Sequence, residues 1–148
     1  IRDSSLNGAL IKSNVNFEPG SKEEDRPMQG QSPYLVNAGL FYQQPKNGWN
    51  AAILYNRIGK RIIGVGRSLG SAGNEVRVPD SYEMPRNAID LSASKKFGKL
   101  EVKAAIRDVL AEKVSFKQFE NTENGEVQQI TRQFKPGRSF NVNISYNF

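Results

Sequence analysis

The stretch from Ser139 to Phe148 alternates without a break. Phe140, Val142, Ile144, Tyr146 and Phe148 are apolar, while Ser139, Asn141, Asn143, Ser145 and Asn147 are polar. A period of two gives a strand with one apolar and one polar face. About ten residues is also the length of a tilted strand that crosses a bilayer. Weaker versions recur upstream. Tyr34, Val36, Ala38, Leu40 and Tyr42 share a face opposite Leu35, Asn37, Gly39 and Phe41. Trp49, Ala51, Ile53 and Tyr55 oppose Asn50, Ala52, Leu54 and Asn56. Ile89, Leu91 and Ala93, interrupted by Lys95 before Phe97, oppose Asp90, Ser92, Ser94 and Lys96. Leu100, Val102, Ala104 and Ile106 oppose Glu101, Lys103, Ala105 and Arg107. In the opening stretch Ala9, Ile11, Val15 and Phe17 are expected on one face, interrupted by Ser13.

The connections differ in length. Gln44-Pro45-Lys46-Asn47-Gly48 is short, and its Asn-Gly pair favours a tight reversal. Phe97-Gly98-Lys99 is a second short turn. Glu18 to Ser32, with a charge run from Lys22 to Arg26, and Gly66 to Glu83 are long polar loops. A third polar tip spans Glu120 to Glu126 and contains Asn124-Gly125. The pattern predicts an all-β, antiparallel segment of about six strands, over 3–17, 33–44, 49–65, 84–97, 99–119 and 126–148. The last two would project well past a membrane, with a bend at Asp108-Val109-Leu110. Short turns on one side and long loops on the other match outer-membrane barrels, and the C-terminus shares the short-turn, periplasmic side. Six strands fall below the usual barrel minimum of about eight. An open sheet in lipid leaves backbone groups unpaired at several kcal/mol each. The missing strands are therefore expected upstream or from another chain.

Composition narrows the chemistry. The 148 residues include no Cys and no His, so no disulfide, thiolate, zinc cluster or His-based nucleophile system is available. The carboxylates are scattered through loops without a paired motif, and neither an enzyme nor a cofactor is expected. The net charge of +6 is spread along the chain without aromatic-basic interleaving, so nucleic acid is not an expected partner. With 37% hydrophobic residues the chain holds no apolar run long enough for a transmembrane helix. That polarity still suits a barrel wall, where only alternate side chains meet lipid. Ile1 to Leu10 lacks a signal-peptide pattern. The chain is thus expected to be an internal fragment that starts inside a strand.

Several blocks resemble those of TonB-dependent outer-membrane receptors of the Bacteroidota type. They are Arg26-Pro27-Met28-Gln29-Gly30-Gln31-Ser32-Pro33 running into Tyr34-Leu35-Val36-Asn37-Ala38-Gly39-Leu40, and Tyr55-Asn56-Arg57-Ile58-Gly59-Lys60-Arg61-Ile62 followed by Val65-Gly66. Pro85-Arg86 leading to Ile89-Asp90-Leu91 and Lys95-Lys96-Phe97, and Gly137-Arg138-Ser139-Phe140 leading to Tyr146-Asn147-Phe148, complete the set. Asp108-Val109-Leu110 departs from the family's Asn-Leu-Leu-like step. The resemblance covers nearly the whole chain and implies the last six strands of a barrel of about 22 strands, the plug and upstream strands lying outside this segment. It implies a bacterial outer-membrane nutrient transporter of unknown ligand, driven by TonB through the absent N-terminal region. Lipid and the barrel-assembly machinery are implied partners, and a surface lipoprotein is left open. Phe140, Val142, Ile144, Tyr146 and Phe148 resemble the terminal assembly signal, a role that coexists with facing lipid. Arg26, Pro27, Gln29, Gly30, Gln31, Ser32 and Pro33 are expected to shape a loop and start a strand, in preference to touching ligand. Asn50, Asn56 and Asp90, on the polar side, are expected to contact the plug or solvate the interior. The alternatives are another outer-membrane barrel such as a porin, or a soluble up-and-down barrel binding a small lipid. Capture of the fragment with an assembly factor is a further possibility.

Overall fold

The computed structural model describes residues 3–12, 14–15, 26–69, 76–122 and 125–148. Fourteen strands follow in order: β1 Asp3–Leu10, β2 Asn14–Val15, β3 Arg26–Pro27, β4 Tyr34–Gln44, β5 Trp49–Ile58, β6 Arg61–Gly64 and β7 Arg67–Leu69. They continue with β8 Val76–Val78, β9 Ser81–Glu83, β10 Arg86–Phe97, β11 Leu100–Arg107, β12 Val114–Thr122, β13 Gly125–Phe134 and β14 Ser139–Tyr146. The described residues contain no α-helix, only a 3-10 turn at Pro45–Asn47. Every pairing is antiparallel.

The largest sheet is a six-stranded meander in the order β1-β4-β5-β10-β11-β14. Its register joins apolar stripes that lie far apart in sequence. Leu40 stands opposite Ile53, Ile53 opposite Leu91, Leu91 opposite Ile106 and Ile106 opposite Phe140. Residues directly opposite one another project from the same face. The four stripes beginning at Tyr34, Trp49, Ile89 and Leu100 and the stripe from Phe140 to Tyr146 therefore fuse into one outward surface. Nothing among the described residues covers it. Phe140, Val142 and Ile144 are 73%, 68% and 67% exposed. The other face carries Asn37 hydrogen-bonded to Asn56, Asn50 to Ser94, and Asp90. The depressions of the sheet lie on this polar side, bounded by Ser5, Asn7, Asn37 and Asp90 and, nearer the short turns, by Asn50, Ser94 and Lys103.

The first strand corrects one expectation. Leu6 lies opposite Ala38 and Leu10 opposite Tyr34, so Leu6 and Leu10 join the outward face. Ala9 lies opposite Leu35 and points to the polar side. Apolar residues occur at both parities between Leu6 and Ile11, and the ladder with β4 selects one. Val15 lies in β2, apart from this sheet, and Phe17 lies outside the described residues.

A second sheet, β13-β12-β9-β6, continues four of these strands beyond the six-stranded sheet. Arg86 faces Ile58, and three residues farther along each strand Glu83 faces Arg61. The alternation therefore carries through, with Arg61 and Glu83 outward and Ile62 and Tyr82 inward. Among the described residues Ile62 is the buried large hydrophobic side chain, at 2% exposure. Lys60 Nζ lies 4.3 Å from the Tyr82 ring centroid and 4.5 Å from that of Phe119, which closes the inner side of this sheet. The loop expected from Gly66 to Glu83 contains the β7–β8 hairpin and β9, elements of three residues each that give too few alternations to be seen in sequence. Asn124 and the run from Lys22 to Asp25 lie outside the described residues.

Both short turns close on one rim. Gly48 and Gly98 take left-handed φ values of 67° and 63°, which glycine adopts without a Cβ penalty. Asn147 N donates to Lys99 O at 2.9 Å, so the C-terminal residues share that rim. The turns are staggered. Trp49, the first residue of β5, is level with Lys95, yet β10 runs two residues farther to Phe97.

Candidate functional site

Residues as far apart in sequence as Tyr34 and Glu112 converge where the six-stranded sheet meets the second sheet. Arg57, at the end of β5, donates from Nε to Tyr34 Oη at 3.3 Å and from one terminal nitrogen to Asn87 Oδ1 at 3.0 Å. Tyr55 Oη donates to the same Asn87 oxygen at 2.8 Å. Asn87 in turn donates its backbone N–H to Glu112 at 2.8 Å and its side-chain amide at 2.9 Å. These bonds to the charged form, the backbone one foremost, hold the Glu112 carboxyl below its ordinary range. Tyr55, Arg57 and Asn87 occupy outward positions, so this belt sits directly above the apolar band of the six-stranded sheet.

The inner half of the junction is a bend. Between β11 and β12, Asp108 and Ala111 take positive φ values of 53° and 47°, unusual for residues with a Cβ. Arg86 pairs with the Asp108 carboxylate, and Asp90 Oδ1 accepts the Asp108 N–H at 2.9 Å. Val109 N donates to Ile89 O at 2.8 Å, and Arg138 Nε donates to Val109 O at 2.6 Å. The bend expected at Asp108-Val109-Leu110 is thus present, and partners from two other segments, β10 and the β13–β14 connection, fix it.

The Arg26-to-Pro33 block lies along the free side of β6. Arg26 and Pro27 form β3 and pair with Val15 and Asn14. Gln29 Nε2 donates to Ile63 O at 2.9 Å, and Gly30 N donates to Ile62 O at 2.7 Å with Gly30 at φ 80°. Gln31 N closes a turn onto Met28 O at 3.3 Å. Ser32 Oγ donates to Tyr34 O at 2.8 Å, and Pro33 O accepts Ile11 N at 2.9 Å. The contacts of Gln29 and Gly30 lie along β6, and those of Ser32 and Pro33 lie where β4 begins.

The terminal strand is placed differently. Phe140, Val142, Ile144 and Tyr146 face Ile106, Ala104, Val102 and Leu100 on the outward surface. The Phe148 ring packs edge-on to Tyr146 at 5.3 Å. Among the described residues β14 pairs only with β11, so its other edge presents unpaired donors and acceptors. The structure does not bring this strand to the Arg26-to-Pro33 block.

Sequence reasoning did not single out Arg57, Asn87 and Glu112 as a unit. A signal was present: Arg57 follows Tyr55, and Asn87 precedes Ile89, on otherwise apolar parities. Polar breaks at one level of neighbouring strands mark an interface. Among the described residues no group of three or more acidic residues is arranged to hold a metal ion. The described side chains form hydrogen-bonded strand junctions, a hollow lined by Asn37, Asn56 and Asp90, and an outward apolar band. Comparisons with protein-family models, with curated proteins and with solved structures find no match to this chain.

Proposed function

We propose that this segment is barrel wall of a TonB-dependent outer-membrane receptor, a transporter for nutrient uptake. Its apolar face meets lipid and its polar face lines the lumen. The observation that carries this reading is the register, which fuses the apolar stripes of the six wall strands into one uncovered surface. In water each such large side chain would forgo about 1.5–3 kcal/mol of burial, whereas in a bilayer the exposure is the stable arrangement. The stagger of the short turns, one residue per strand across two strands, agrees with the tilt that barrel closure imposes. A soluble lipid-binding barrel would need a hollow lined throughout by apolar side chains, and here Asn37, Asn56 and Asp90 stand beside Leu54 in the hollow.

The free edges of β1 and β14 require partner strands, because unpaired backbone in lipid is costly. A closed barrel of about 22 strands supplies them, and the family resemblance supplies that number. On this reading Asn50, Asn56 and Asp90 face the plug or lumen water, and TonB acts through a region outside this segment. Phe140 to Phe148 engage the barrel-assembly machinery during insertion, by main-chain pairing at the open edge of β14. The Arg26-to-Pro33 block holds the strand junctions, and its hydrogen bonds to β6 support that role. The intact mass of the native polypeptide carrying this sequence, from fractionated cell envelopes, tests the proposal. An outer-membrane species with room for about 22 strands and a plug is expected. A soluble species near 16.5 kDa would reject it.

A further inference from the structure

Lys95 breaks the outward row between Ala93 and Phe97, and the wall reading alone gives it no role. Its Nζ stands 4.8 Å from the Trp49 ring centroid and 4.8 Å from that of Phe97. All three side chains are set by paired backbone. Trp49 is directly across the ladder from Lys95, and Phe97 is the next residue on the same face. The turn leading into Trp49 is anchored, since Lys96 N donates to Gly48 O at 3.0 Å. A Cβ on Gly48 would come within 2.9 Å of Lys96 O, so the approach is close. Among the described residues Lys95 has no carboxylate partner. Its neighbour Lys96 turns to the polar face, 4.0 Å from Glu101. Lys46 and Lys99 stand exposed in the two turns of the same rim.

We propose that Lys95, Trp49 and Phe97 form a binding site for the headgroup of an anionic phospholipid in the periplasmic leaflet. This rests on the membrane-wall reading. The ammonium meets the phosphate, as a snorkelling lysine does at a bilayer surface. The two rings take the interfacial level at which the headgroup joins its chains. The apolar band beyond, through Ala93 and Ala51, receives the acyl chains. Lys46 and Lys99 add positive charge to the rim and favour a net-negative headgroup over a zwitterionic one.

The test uses the full assembled receptor in nanodiscs of mixed phosphatidylglycerol and phosphatidylethanolamine. Native mass spectrometry reads the ratio of the two lipids retained. The wild type is expected to retain phosphatidylglycerol preferentially. Lys95→Ala should lower that ratio about fivefold, which corresponds to about 1 kcal/mol for one surface cation. Lys95→Arg should restore most of it. Trp49→Ala should lower it with the charge unchanged, and Lys103→Ala on the polar face should leave it unchanged. No preference in the wild type, or an unaltered ratio in Lys95→Ala, overturns the site. A loss as large from Lys46→Ala as from Lys95→Ala also overturns it, because it shows diffuse attraction to the rim. Failure of the wild type to enter nanodiscs at all refutes the membrane-wall reading itself.

Discussion

Val142 and Asn141 are adjacent in the chain and project from opposite faces of the sheet, so the proposed function places them in different solvents. Val142 lies opposite Ala104 in the middle of the outward row of β14, between Phe140 and Ile144, and is 68% exposed. Asn141 lies opposite Ala105 on the polar face. An arginine at the bilayer midplane of a barrel costs about 2–4 kcal/mol. Val142→Arg should therefore reduce the folded-to-unfolded ratio roughly 30-fold to 700-fold. Asn141→Arg adds a charge to a hydrated face and should cost at most about 1 kcal/mol, mainly through repulsion from nearby cations such as Arg107. Urea titration of the assembled receptor in phospholipid vesicles, followed by tryptophan fluorescence and by heat-modifiable gel mobility, measures both. Equal costs at the two positions would refute the assignment of faces. The larger cost at Asn141 would reverse the barrel inside out.

Further outcomes follow from the junction and the terminal strand. Deleting Phe148 should slow assembly into membranes more than it lowers the urea midpoint of the folded barrel, and unchanged assembly kinetics would remove the signal role. The Glu112 carboxyl, held low by Asn87, stabilises the fold fully above its ordinary value of 4.5. That contribution fades as pH falls through the lower folded value. The urea midpoint of the wild type should thus fall toward that of Glu112→Gln on acidification, and a gap independent of pH would show that the charge is irrelevant. Gly30→Ala should cost about 1–2 kcal/mol through its φ of 80° alone, since no atom lies within 4 Å of the added Cβ. Gly59→Ala should cost more, because its Cβ would stand 2.6 Å from the Tyr34 ring. Thermal denaturation of the two variants compares them, and the opposite order would contradict the packing.

The strands of the six-stranded sheet were legible from the chain alone, because a period of two needs no knowledge of neighbours. The ten-residue alternation ending at Phe148 states its own two faces, and Asn47-Gly48 and Gly98 state where the chain reverses. The bend at Asp108 was legible as a break in pattern. Pairing decided the rest. Between Leu6 and Ile11 both parities are apolar, and only the ladder with β4 turned Leu10 outward and Ala9 inward. Strands as short as β7, β8 and β9 carry too few alternations to be read locally. Arg57, Asn87 and Glu112 meet only because the β5–β10 register and the bend after β11 bring together residues 25 and 30 positions apart. Local periodicity is fixed by backbone geometry within a few residues, whereas a junction of side chains depends on which strands become neighbours, and that is a property of the whole sheet.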